Sequence, residues 1–225
     1  MSLLTGTPAT RTSSSQYAVE YIRDLIFDGK LRPGDRVPQE EVAQVLHLSR
    51  IPVREAIITL TSEGFLRSEL HRGAFVEPLD EQSIRDQYAL YGIIFGLAAE
   101  RALERDPAEF LPRLEQLLSR MEETDDHAEF GELMLQFHRA LVDAAASPRI
   151  SVVVRSMPAL RPSALFDDSS ASVSAGLEGA RGMVAALKAG DKLQVTKACA
   201  AGMAELAEAV IDLFRARGLF SAPAS

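Results

Sequence analysis

A single cysteine, Cys199, excludes any disulfide within the 225 residues. Long hydrophobic runs are missing too: 47% of the residues are hydrophobic, yet they never gather into the run of about 18 that a membrane-spanning helix needs. The N-terminus lacks the basic, apolar, small-residue order of an export signal, so the expected location is the cytoplasm, with no membrane partner. A basic excess is also absent, since 24 Lys+Arg stand against 32 Asp+Glu for a net charge of -8. That total argues against a chain coated in phosphate-binding cations. Its distribution is uneven: up to Val76 there are 9 basic and 9 acidic residues, and the remaining 15 and 23 carry the whole excess. A neutral first part can still place a few arginines on one face, while an acidic second part discourages nonspecific attachment to nucleic acid.

What is present divides the chain into three. Residues 1–14 are small and polar without a period and read as a disordered arm. Residues 15–78 read as three helices and a hairpin. Ala18, Ile22, Leu25 and Ile26 form a helical stripe that stops near Gly29. A turn on Pro33 and Gly34 precedes a short helix using Val42, Val45 and Leu46. Ser49 reads as the N-cap of a third helix that tolerates Pro52 in its first turn. After Gly64 the spacing changes to short alternating runs, Phe65–Ser68 and Ala74–Val76. Helix, helix, helix, hairpin is the order of a winged helix-turn-helix. From residue 79 to 225 the pattern is helical with short Asp, Pro or Gly loops, as in an antiparallel bundle of six to seven helices. The expected spans are 81–105, 107–123, 127–146, 148–157, 158–167, 172–189 and 191–217.

In the third helix Val53, Ala56, Ile57 and Leu60 share the inward face, which puts Arg50 and Arg54, four apart, on the outward one. That is where a recognition helix meets DNA, and a guanidinium fork can donate twice to guanine or clamp a phosphate. In order, LRPGDRV, EEVAQVLHLSRIPVREAI, LTSEGFL and HRGAFV resemble the DNA-binding domain of the GntR family of bacterial regulators. The resemblance implies operator contacts from Arg50 and Arg54, a phosphate contact from Ser49 and minor-groove entry at Gly73, with His71 and Arg72 beside it at the wing tip. A tight wing turn also calls for glycine because positive φ and close approach exclude a Cβ. Glu40 stands where this family often has arginine; it either weakens or retunes DNA binding, or serves its own helix N-terminus through the dipole. His47 stands where glycine is common between the second and third helices, and histidine tolerates the left-handed region better than branched residues do.

The helical half, from LYGIIFGLAAERA through QFHRALVDAAASPRI to LKAGD, resembles the ligand-binding domain of the FadR subfamily. Many of its members hold a divalent metal with an Asp and three His. Laid over this chain, those positions fall on Met134, His138, Ala180 and Gly202. One imidazole does not hold such a metal, so no metal site of the family type and no other cofactor is expected. A soft site from Met134, His138 and Cys199 is the remaining alternative. The pocket positions that are often Arg and Glu become Tyr91 and Phe95. These replacements point to a small, largely apolar effector, with His138 and Tyr91 as polar handles and Arg161 as a carboxylate partner. A bundle without any effector, or a sensor of a carboxylate, stays open beside that reading.

Together these readings imply a regulator, by family analogy a repressor, that binds a double-stranded inverted-repeat operator as a homodimer. An enzyme has no support in the sequence: there is no phosphate loop and no acid-base partner for His138. A winged domain that docks on protein is the third class, separable by the double change Arg50→Ala and Arg54→Ala.

Overall fold

The computed structural model describes residues 14–157, 166 and 170–220. Within it the chain divides into two compact units, the first ending at Pro78 and the second starting at Leu79. Arg161 and most of the expected helix 158–167 lie outside the described residues, as does the N-terminal arm up to residue 13.

In the first unit, helix α1 (Ser14–Phe27) buries Ala18, Val19, Ile22 and Ile26 on one face. It packs on α3 (Arg50–Ser62), which buries Val53, Ala56, Ile57 and Leu60 in the register the spacing predicts. The two are also joined by an ion pair between Arg23 and Glu63 at 2.7 Å, with Arg23 lying over the ring of Phe65. Helix α2 (Gln39–Val45) is only seven residues long and buries Val42 and Ala43. Val45, expected in the core, is exposed because α2 ends there and the chain turns through His47 at φ 53.

Strands β1 (Leu66–Glu69) and β2 (Gly73–Val76) pair antiparallel, one residue along from the expected first run. The wing has a third member that alternation did not predict. Val37 N–H donates to Ala74 O and Val76 N–H to Asp35 O, each at 2.9 Å, so the RPGDRV turn is tied to the outer side of β2. This supplies partners to backbone groups that a lone hairpin would leave to solvent.

The second unit is all helical among the described residues: α4 (Glu81–Ala102), a 3₁₀ turn (Pro107–Glu109), α5 (Leu111–Glu123), α6 (His127–Ala144), α7 (Pro148–Ser156), α8 (Ser170–Ala189) and α9 (Lys192–Ala216). Asp80, Asp126, Ser147 and Asp191 each accept a backbone N–H at a helix start, which is why the loops carry those residues. Ser83 donates to Asp80 from both its hydroxyl and its N–H and holds that carboxyl below the usual range. The closest packing is α4 on α9: a Cβ on Gly92 would sit 3.1 Å from the Cα of Ala200, and one on Gly96 3.1 Å from Cγ2 of Thr196. No helix among the described residues is long and apolar enough to cross a membrane.

Candidate nucleic-acid interface and effector cavity

The first unit gathers guanidinium groups on one surface. Arg50 opens α3 and Arg54 follows one turn later, both exposed and both on the face opposite its buried residues. Ser49 takes the extended N-cap conformation, but its side chain makes no capping bond, so the expected cap is positional only. Its exposed hydroxyl remains available to a ligand such as a phosphate. Arg36, Glu40, Arg50, Ile51 and Arg54 line a shallow cleft between α2 and α3. In it Nη2 of Arg50 lies 2.9 Å from Oε1 of Glu40, with both side chains largely exposed. Among the described residues neither Arg36 nor Arg54 has an acidic partner.

The wing reaches the same surface through Arg36. Gly73 has φ 106, and a Cβ there would lie 2.9 Å from Nε of Arg36. The positive φ favours glycine, and any Cβ would also have to displace the end of the Arg36 side chain. At the tip, His71 also takes a positive φ of 61 and Leu70 is 84% exposed. Arg72 pairs with Glu69 and lies 5.5 Å from the ring of Phe75, whose other neighbour is Arg67 at 5.1 Å. Sequence reasoning missed Arg36 and Ile51. The signal for Ile51 was present, since it is an apolar residue beside Arg50 on the outward face and is 68% exposed.

The second unit holds a cavity of about 400 Å³ between α4, α6, α7 and α9. Tyr91, Phe95, Met134 and His138 all line it. The rings of Tyr91, Phe95 and His138 stack in series, with centroids 5.7 and 4.9 Å apart. The Tyr91 hydroxyl donates to the carbonyl of Met157 at 3.4 Å. Ala180 and Gly202 correct the expectation, because neither reaches the cavity wall. Ala180 is fully buried on α8, and Gly202 lies where α8 and α9 nearly touch, its Cβ position 3.6 Å from the Cα of Gly179. Arg139, Arg155 and Asp143, exposed and unpaired among the described residues, also line the cavity and were not anticipated.

The residues present do not fit the metal that the resemblance brings to mind. Methionine, alanine and glycine stand at three of its four ligand positions, and the Cys199 thiol is fully buried with its pKa pushed up to about 12 by desolvation. Such a thiol resists the deprotonation that metal ligation needs. No cluster of three or more His, Cys, Asp or Glu suited to a metal occurs among the described residues.

Residues 14–76 match the family described as bacterial regulatory proteins, gntR family, and residues 86–210 match the FCD domain, which alone covers more than half of the chain. The chain belongs to the FCD-domain proteins, and its first unit matches the gntR family. An uncharacterized HTH-type transcriptional regulator of Mycobacterium tuberculosis is 33% identical over 144 residues, covering 64% of this FCD-domain chain and 59% of the relative. The chain thus spans about three-fifths of the length of the first curated relatives it matches. A probable D-xylose utilization operon transcriptional repressor of Paenarthrobacter nicotinovorans is 29% identical over 191 residues, 81% of this chain and 82% of that one. Among solved structures, E. coli McbR/YncC shares the fold with a TM-score of 0.67 at 19% identity, over 92% of this chain and 99% of its own.

Proposed function

We propose that this FCD-domain protein is a sequence-specific DNA-binding transcription regulator, in the cytoplasm and without enzymatic activity. Its reading head is the winged unit and its sensor a FadR-type helical domain. The observation that carries this is the convergence of Arg36, Arg50 and Arg54 on one cleft of the unit that matches the gntR profile. Arg50 and Arg54 enter a major groove at the N-terminal end of α3, with Ile51 placed for a thymine methyl, while His71, Arg72 and Gly73 carry the wing to the neighbouring minor groove. The gene's own upstream region, labelled and titrated by fluorescence anisotropy, tests this. Arg50→Ala with Arg54→Ala should abolish binding with an unchanged circular dichroism spectrum; retained binding would refute the reading.

The proposed assembly is a homodimer on an inverted repeat. On α4, Leu90, Ile93 and Leu97 lie at spacings of three and four and are 51%, 64% and 43% exposed, and Leu193 of α9 is 63% exposed. A monomer rarely leaves so many large apolar residues together in water. A second copy covering this face gives two reading heads for two half-sites. Repression is the proposed outcome, in line with the name of the Paenarthrobacter relative.

The effector proposed for the FCD cavity is largely apolar, matched to its aromatic wall. Arg139 and Arg155 outnumber the one acid in the lining, Asp143, and favour a carboxylate as the effector's one charged group. A thermal-shift screen with octanoate, octanol and divalent metals checks this: stabilisation by the metals alone would sink it.

A further inference from the structure

Three arginines and two acids, Glu40 and Glu41, line the cleft between α2 and α3, and among the described residues only Glu40 of the two acids forms an ion pair with one of those arginines. Glu40 stands second in α2, and its carboxylate reaches across to Arg50, the first residue of α3, at 2.9 Å. An exposed pair of this kind contributes little to stability. Its consequence is for what Arg50 can bind. Phosphate contacts supply the sequence-independent part of DNA affinity and need net positive charge, whereas a guanine edge is neutral and needs oriented N–H donors. A guanidinium already paired with Glu40 has its charge offset against phosphate, yet keeps Nε, Nη1 and one Nη2 hydrogen for the O6 and N7 of a base. Arg36 and Arg54 line the same cleft with no acidic partner among the described residues, so they are the cations left for the backbone.

We propose that Glu40 is a positioning residue for base reading, which turns Arg50 toward guanine and denies it to phosphate. This rests on the winged unit being a DNA reader and adds how it discriminates between operator and bulk DNA. Four variants then separate into three kinds of effect. Arg36→Ala and Arg54→Ala weaken binding to every sequence alike. Arg50→Ala loses the preference for guanine at one base pair of each half-site. Glu40→Gln frees Arg50 for phosphate, so it binds unrelated DNA more tightly while reading the same base pair less well.

The test uses the full chain in two assays. One is selection from a randomised duplex library with sequencing of the bound pool, for the unaltered protein, Glu40→Gln and Arg50→Ala. The other is anisotropy on a single labelled random-sequence duplex across a KCl series. Glu40→Gln should cut the preference at the Arg50 base pair by roughly tenfold. It should also steepen the salt dependence on the random duplex by roughly 0.9 in log-log slope, the value of one added phosphate contact. Circular dichroism melts should stay together, which separates positioning from a mere helix-end role. An unchanged motif with an unchanged slope would overturn the proposal. So would an unaltered protein that binds the random duplex but enriches no motif. If neither the unaltered protein nor Glu40→Gln binds any duplex, the DNA reading itself fails, an outcome distinct from the other two.

Discussion

Removing the Glu63 carboxylate should loosen the reading head without touching any residue that faces DNA. Glu63 ends α3 and pairs at 2.7 Å with Arg23 of α1, their side chains only 18% and 10% exposed. In Glu63→Ala the guanidinium stays where it is, over the Phe65 ring at 5.6 Å, with its charge unpaired. Breaking a fully buried pair from one side costs about 3–5 kcal/mol. The residual exposure of both partners admits some water, so about 2–3 kcal/mol is expected here. Against the roughly 5–15 kcal/mol that holds an ordinary domain together, this is a large share. Replacing both residues, Arg23→Met with Glu63→Met, removes both charges and should recover most of the loss. The chain has no tryptophan to report unfolding by fluorescence. Hydrogen exchange read by mass spectrometry on α1 and α3 peptides is therefore the assay, with α4 to α9 peptides as the internal reference. Faster exchange confined to the first unit in Glu63→Ala, and near-normal exchange in the double variant, is the expected result. A loss below about 0.5 kcal/mol in Glu63→Ala would refute the view that this pair fastens α1 to α3.

Gly92→Leu should force α4 and α9 apart, since even a Cβ meets the Ala200 backbone at 3.1 Å; a loss of about 2 kcal/mol or more in urea unfolding is expected. Ile93→Asp with Leu97→Asp should turn a dimer into monomers in light scattering and lower operator affinity, because both residues are exposed on one face of α4. Cys199 is fully buried, with its thiol pushed up to about 12. The reactive thiolate is therefore scarce at ordinary pH and grows only as pH climbs toward that value. Iodoacetamide at mildly alkaline pH should leave Cys199 unmodified in the folded protein and alkylate it fully in urea, as read by intact mass.

Helical periodicity located α1, α3 and the long helices because each buries one continuous stripe, the signal that periodicity measures. It misplaced Val45, since a seven-residue helix has too few turns for the pattern to say where it stops. The third member of the wing was invisible for a similar reason: RPGDRV joins β2 through backbone hydrogen bonds, which leave no mark on side-chain alternation. At the candidate sites, the outward placement of Arg50 and Arg54 was legible from one helix face, while Tyr91 and Phe95, carried over from the family's pocket positions, do line the cavity. Ala180 and Gly202 were placed by carrying ligand positions across from a family pattern. With no side chain to hold them apart, α8 and α9 close together at Gly202, and Ala180 is fully buried on α8 instead of lining the cavity. Arg36 and Arg139 depend on which elements meet in space, which spacing along the chain does not encode.

The neutral balance of the first unit, at first sight a mark against DNA binding, has a structural explanation. Half of its acids are committed to ion pairs: Glu63 to Arg23, Asp28 to Lys30, Glu69 to Arg67 and Arg72, Glu77 to Arg67, and Glu40 to Arg50. Of these only Glu40 lines the cleft between α2 and α3, where Glu41 is the other acid and forms no ion pair among the described residues. Within that cleft the positive charge of Arg36 and Arg54 is unopposed by an ion pair, and the single opposed arginine is the one at the tip of the reading helix. Counting charges over the unit gives a sum near zero because pairs that fasten the fold are added to cations that face outward. Affinity for phosphate follows the local excess at the surface that meets it, not the sum. A reading head with few free cations binds bulk DNA weakly and depends on base contacts for the rest, which is the condition under which orienting one arginine has the greatest effect on selectivity.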